Sequence, residues 1–203
     1  MISKVLYYIH DPMCSWCWAF RPVFIELLNK LPDDIDIQYL VGGLAPDSSE
    51  PMDTATQAMI QKHWRTIQVK VPSTQFNFDF WANNIPRRST YPACRAVLAA
   101  KAINPDKEDA MILAIQQAYY LNAFNPSDDD VLIECAASIG LDTFLFAQTL
   151  NNPATQQTLQ DNIQQAKNMG AYHFPSLVLE ENGRFKPVTI DYNDAENILS
   201  QLQ

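Results

Sequence analysis

The 203-residue chain has no long hydrophobic run. Nowhere do about 18 or more apolar residues follow one another, the length a bilayer-spanning helix needs, so no membrane partner is expected. Basic excess is also missing: 14 Lys and Arg face 23 Asp and Glu, for a net charge of −9. That balance disfavours nucleic acid on electrostatic grounds. The apolar stretch from Val5 to Ile9 is too short for a secretory signal and runs straight into His10-Asp11-Pro12. The expectation is therefore a cytoplasmic protein, from a compartment where thiols stay reduced and structural disulfides are rare. A second Cys or His pair at short spacing is lacking too. Cys94, Cys135, His63 and His173 are each isolated, so spacing assembles no four-ligand zinc site and no metal is expected. Neither an internal repeat nor a low-complexity segment occurs.

What is present is 47% apolar residues and 11% aromatics, enough to bury a substantial core without disulfides or metals. The length fits one domain carrying an insertion as well as it fits two domains. One Cys-x-x-Cys stands at Cys14-Ser15-Trp16-Cys17. It falls where an apolar strand, Lys4 to Ile9, gives way to an amphipathic helix from about Ser15 to Leu31. A cysteine at that junction meets free N–H groups and the positive end of the helix dipole, which favour a thiolate. The thiolate is the nucleophile in disulfide exchange, so Cys14 should attack. Cys17, a turn further on, should be shielded. A lone pair of this kind beside a β–α–β pattern points to redox catalysis before a zinc half-site.

The rest of the chain orders itself around that motif. Pro22 lies inside the first helix and should kink it. A second strand, Ile35 to Val41, ends at Gly42-Gly43. From Met52 to about Gly170 the pattern is helical: Ala55, Met59, Ile60, Trp64, Ile67 and Val71 form one apolar stripe, and an aromatic connection follows from Pro72 to Arg88. Further helices are expected from Thr90 or Tyr91, from Asn104-Pro105, from a capping box of Ser127 with Asp130, from Asp142 and from Pro153. Strand character returns at Pro175 to Leu179. Asn182-Gly183 signals a hairpin, and Phe185 to Ile190 forms its return strand. A last helix is expected from about Asn193 to Leu202. The order is β-α-β, a helical block, then β-β-α.

That order, with the Cys-x-x-Cys on the first helix and Phe174-Pro175-Ser176 leading the third strand, resembles a thioredoxin-like α/β fold with a large all-helical insertion. The closer resemblance is to the DsbA-like family and its signal-less, FrnE-related branch of protein disulfide isomerases. It is carried by Asp11 to Trp18, Val41-Gly42-Gly43-Leu44, Thr90 to Ala96 and Phe174-Pro175-Ser176-Leu177. The resemblance implies a discontinuous thioredoxin-like domain, 1–45 with 171–203, around an inserted helical domain, 46–170. It implies Cys14 as the attacking thiol, Cys17 as the resolving thiol and Pro175 in cis across the cleft, with the Phe174 backbone as a docking edge. It also implies polypeptide disulfides as substrates, no bound cofactor, and glutathione or a reductase as electron donor.

Met13, Ser15 and Trp16 would border substrate, with Trp16 exposed and Trp18 at least partly buried. His10 and Asp11 are expected to serve the turn more than proton transfer, and Cys94 and Cys135 to pack in the core, as free cysteines usually do. A resolving role stays open for Cys94, because the resemblance sets its helix along the cleft. The dipeptide Ser15-Trp16 departs from both the Gly-Pro of thioredoxin and the Pro-His of periplasmic DsbA, so the net direction of electron flow stays open. Two rival readings remain. One is a glutathione-dependent transferase or isomerase of the kappa class, whose relatives use Ser where Cys14 stands. The other is a non-catalytic holdase or interaction subunit using an apolar patch.

Overall fold

A computed structural model describes residues 4–202. Its sheet has four strands in the order β2-β1-β3-β4, with β1 Lys4–His10, β2 Ile35–Val41, β3 Ser176–Glu181 and β4 Arg184–Val188. β1 pairs parallel with β2 and antiparallel with β3, and β3 pairs antiparallel with β4. β1 is thus a central strand, which is why it reads as a near-continuous apolar run. Its residues alternate between two faces. Leu6 and Tyr8 pack with Phe20, Phe24 and Leu27 of α1 (Ser15–Lys30) in one core cluster. Tyr7 and Ile9 pack with Leu40, Val178 and Ala166 in another, on the opposite face.

α1 continues unbroken through Pro22. The hairpin joining β3 to β4 turns at Asn182 and Gly183, whose φ values are 56° and 73°, the left-handed pair a two-residue turn requires. Pro187 sits on the edge strand β4, where a missing backbone donor removes no ladder bond.

Between β2 and β3 the chain is helical: α2 Thr54–Lys70, α3 Phe80–Asn83, α4 Tyr91–Ile103, α5 Glu108–Tyr120, α6 Asp129–Ser138, α7 Thr143–Leu150 and α8 Pro153–Asn168. A last short helix, α9 Glu196–Leu199, covers less than the expected 193–202. Asn104, the expected cap, accepts from Asp106 N at 3.1 Å, and three further caps form that sequence reasoning did not name. The side chains of Asp53, Asp142 and Asn152 accept from the first-turn amides of α2, α7 and α8. The expected capping box does not form, because Ser127 Oγ donates to the Ser89 carbonyl at 2.7 Å and Asp128 takes the N-cap position. A tertiary bond across 38 residues has outcompeted a local one.

The helices share one core cluster that also takes in Met13, Ala19 and Val41 from the sheet side. Cys94 and Cys135 lie in it, 0% and 6% exposed. Its largest side chain, Trp64, is 0% exposed and stacks on Phe76 with ring centroids 4.8 Å apart. Among the described residues no helix is long and apolar enough to cross a membrane. Trp64→Ala should lower the unfolding free energy by about 3–5 kcal/mol, read as a fall in urea midpoint at unchanged slope. A loss below about 1 kcal/mol would contradict this packing.

Candidate functional site

The site is built where β1 stops. After His10 the chain turns through Asp11-Pro12-Met13, and Cys14 takes the N-cap position of α1 with φ −82° and ψ 116°. The Cys14 side chain makes no capping bond. Its thiol instead donates to the Phe174 carbonyl at 3.4 Å. The Phe174–Pro175 peptide is cis, so the segment before β3 faces the Cys-x-x-Cys. Phe174 reaches this place because Gly42 has no side chain: a Cβ there would lie 2.0 Å from the Phe174 ring.

Cys17 is 0% exposed, and both cysteines are free thiols. Burial, and then the hydrogen bond with Cys14, push the Cys17 thiol well above its usual range. Cys14 does not stand on open surface. It is 6% exposed, and it is reached through a cavity of about 330 Å³. Met13, Ser15, Trp16 and Phe174 line the same cavity, while Cys17 and Pro175 are buried and not on its wall. The mouth is open, since Tyr172 is 66% and Met59 45% exposed.

Trp16, expected exposed, is half-buried. It meets the edge of Tyr192 at 5.1 Å, and the Lys70 ammonium sits over its ring at 5.7 Å. Trp18 is partly buried, donating from Nε1 to the Gln75 carbonyl at 3.0 Å. Met59 does not continue the buried stripe of α2 but faces the cavity.

Sequence reasoning missed two features. One is Asp11, whose role exceeds the turn. Its carboxylate is fully buried and accepts from Met13 N at 2.8 Å, Leu44 N at 2.7 Å, Thr90 Oγ1 at 2.6 Å and Cys94 Sγ at 3.4 Å. Burial raises its pKa and these four bonds oppose that rise. Burial, then the Asp11 charge, push the Cys94 thiol well up, so it stays protonated as a donor. The other feature is the far wall of the cavity, supplied by Met52, His63, Arg87, Arg88 and Tyr119 of the helical block. No local motif marks them, because only the fold brings them to Cys14.

His10 is fully buried, stacked on Tyr8 at 5.0 Å and edge-on to Tyr39 at 6.1 Å, and neither ring nitrogen has a hydrogen-bond partner. Burial, then the Arg21 and Lys101 charges, lower its pKa to about 3. It is a neutral packing group at ordinary pH. Among the described residues no group of three or more His, Cys, Asp or Glu could hold a metal ion.

A mixed sheet, a dithiol at the start of the first helix and a cis X–Pro bond against it define a thioredoxin-like protein. The family model described as Thioredoxin matches residues 7–199, and the chain belongs to that family. Among solved structures, a Nitrosomonas europaea protein provisionally described as a protein disulfide isomerase is 28% identical, with a TM-score of 0.85 over 98% of this chain and 95% of that one. The cytosolic disulfide reductase DsbM from Pseudomonas aeruginosa is 23% identical, with a TM-score of 0.79 over 98% and 96%, a likeness of fold. A curated relative, the ClpXP adapter protein SpxH of Halalkalibacterium halodurans, is 26% identical over 85% of this chain but only 57% of its own length. The chain thus spans little more than half of that relative.

The buried imidazole gives a pH test. Unfolded, His10 takes its proton near 6.5, but folded only near 3. Between those values the unfolded state binds more protons, so stability falls as pH drops, by up to about 1.4 kcal/mol per unit. His10→Phe keeps the ring stack and removes this slope. Urea midpoints at pH 7 and 4.5 should therefore fall further for the wild type than for the variant, and equal falls would refute the assignment.

Proposed function

We propose that the protein is a cytoplasmic thiol–disulfide oxidoreductase, of reductase or isomerase type, acting on polypeptide or small disulfides. The observation that carries this reading is the Cys14 thiol at 3.4 Å from the Phe174 carbonyl, beside a cis proline and on the wall of an open cavity. The Cys14 thiolate attacks one sulfur of a substrate disulfide, whose other sulfur leaves as a thiol. Cys17 then gives up its proton and displaces the second, closing a Cys14–Cys17 disulfide. Two electrons and two protons pass from the dithiol to the substrate. The high pKa of Cys17 supports the division of labour, since it holds the second thiol protonated until the mixed disulfide forms.

Pro175 and the Phe174 backbone serve as the docking edge, and Met13, Ser15 and Trp16 as substrate contacts. Residues 46–170 act as an inserted domain that completes the cavity. Glutathione, present in a solved complex of the similar DsbM, is the proposed electron donor. No bound cofactor takes part.

A second reading is favoured by the curated relatives, which are named ClpXP adapters. On that reading the same surface holds a protein partner and turnover is incidental. Insulin reduction separates the two. The wild type should accelerate it, Cys14→Ser should fall to background, and Cys17→Ala should accumulate a mixed disulfide resolvable on a non-reducing gel. Absence of turnover by the wild type would leave the adapter reading. Full turnover by Cys17→Ser would favour glutathione-transferase chemistry.

A further inference from the structure

The cavity beside Cys14 differs in charge from the molecule that holds it. The chain carries 23 acidic and 14 basic residues, yet among the described residues no Asp or Glu lines this cavity, while Arg87, Arg88, His63 and His173 do. Arg87 is already engaged: its Nη2 donates to the Ser127 carbonyl at 2.8 Å and pairs with Asp128. The buried Asp11 lies behind Thr90, with its oxygens taken up by four donors. The Arg88 side chain is exposed and enters none of the hydrogen bonds or ion pairs formed among the described residues. The first turn of α1, at the same wall, holds no acidic side chain either.

An unpaired guanidinium presents a planar fork of donors matched to a carboxylate. Beside an apolar surface of Met13, Trp16, Met52 and Trp64 its charge is less screened than in bulk water. Resting on the oxidoreductase reading, we infer that Arg88 selects disulfide substrates that carry a carboxylate close to the reacting sulfur and disfavours those that carry an ammonium there. Arg88 is then a specificity-determining residue on the wall of the cavity that Cys14 also lines. It takes no part in the sulfur chemistry, in which the dithiol is oxidised and the substrate disulfide is reduced to two thiols.

Two disulfides of matched length test this, dithiodipropionate with carboxylate ends and cystamine with ammonium ends. The second-order rate of oxidation of the reduced protein is read by stopped-flow fluorescence. The wild type should prefer the anionic disulfide by about fivefold, the size expected of one partly solvated charge pair, and the preference should shrink as salt is added. Arg88→Glu, at an exposed position, should abolish or invert the preference. Arg184→Glu, on β4 and away from the cavity, changes net charge equally and should leave the preference in place. Equal wild-type rates, an unchanged ratio in Arg88→Glu, or the same loss in Arg184→Glu would each overturn the assignment. Failure of both disulfides to oxidise the protein would overturn the oxidoreductase reading itself, and the inference with it.

Discussion

The arrangement around Cys14 depends on one buried carboxylate. Asp11 touches three separate stretches of chain: its own turn through Met13 N, the exit of β2 through Leu44 N, and the start of α4 through Thr90 and Cys94. A buried charge is tolerated only when its lone pairs are saturated, because an unsatisfied one loses its hydration for nothing in return. Four donors meet that need, and meeting it locks the sheet end to the helical block. Thr90 strengthens the joint, accepting from Ala45 N at 3.0 Å while its own N–H donates to the Ala45 carbonyl at 3.0 Å. The position of the first cysteine is thus set as much by α4 as by the helix it begins.

The two thiols consequently occupy unlike surroundings although only two residues separate them. Cys17, in the first turn of α1, faces the interior, where desolvation keeps it protonated. Cys14 stands at the junction of three walls, from the Cys-x-x-Cys turn, the cis-proline segment and the helical block. The Phe174 segment lies against Cys14, which is 6% exposed, while Tyr192 and Lys70 cover Trp16. Access is therefore confined to a groove with chemical character of its own, apolar and methionine-rich with arginines at the wall.

Much of this was legible in local patterns. β1 reads as a two-sided strand because it is central, and the Asn182-Gly183 turn forms because those two residues accept positive φ. The start of α4 at Thr90-Tyr91-Pro92 is also where the structure puts it. The readings that did not hold share a cause. Ser127 left its expected cap for a carbonyl on a distant loop, and Trp16 was covered by Tyr192 from the far end of the chain. In both, a contact distant in sequence decided the outcome, and for Ser127 it outweighed a local cap worth about 1 kcal/mol.

The sequence by itself determined the element order, the thioredoxin-like class and the placement of a dithiol at a helix start, because strand runs, turn residues and a motif at a helix boundary are short-range properties. Tertiary structure alone decided how deeply Cys14 lies, which donors hold Asp11, and which charges share the cavity with Cys14. Burial and electrostatics depend on what packs against a group, and here the partners are drawn from stretches more than thirty residues apart, from Asp11 to Leu44 and from Cys14 to Phe174.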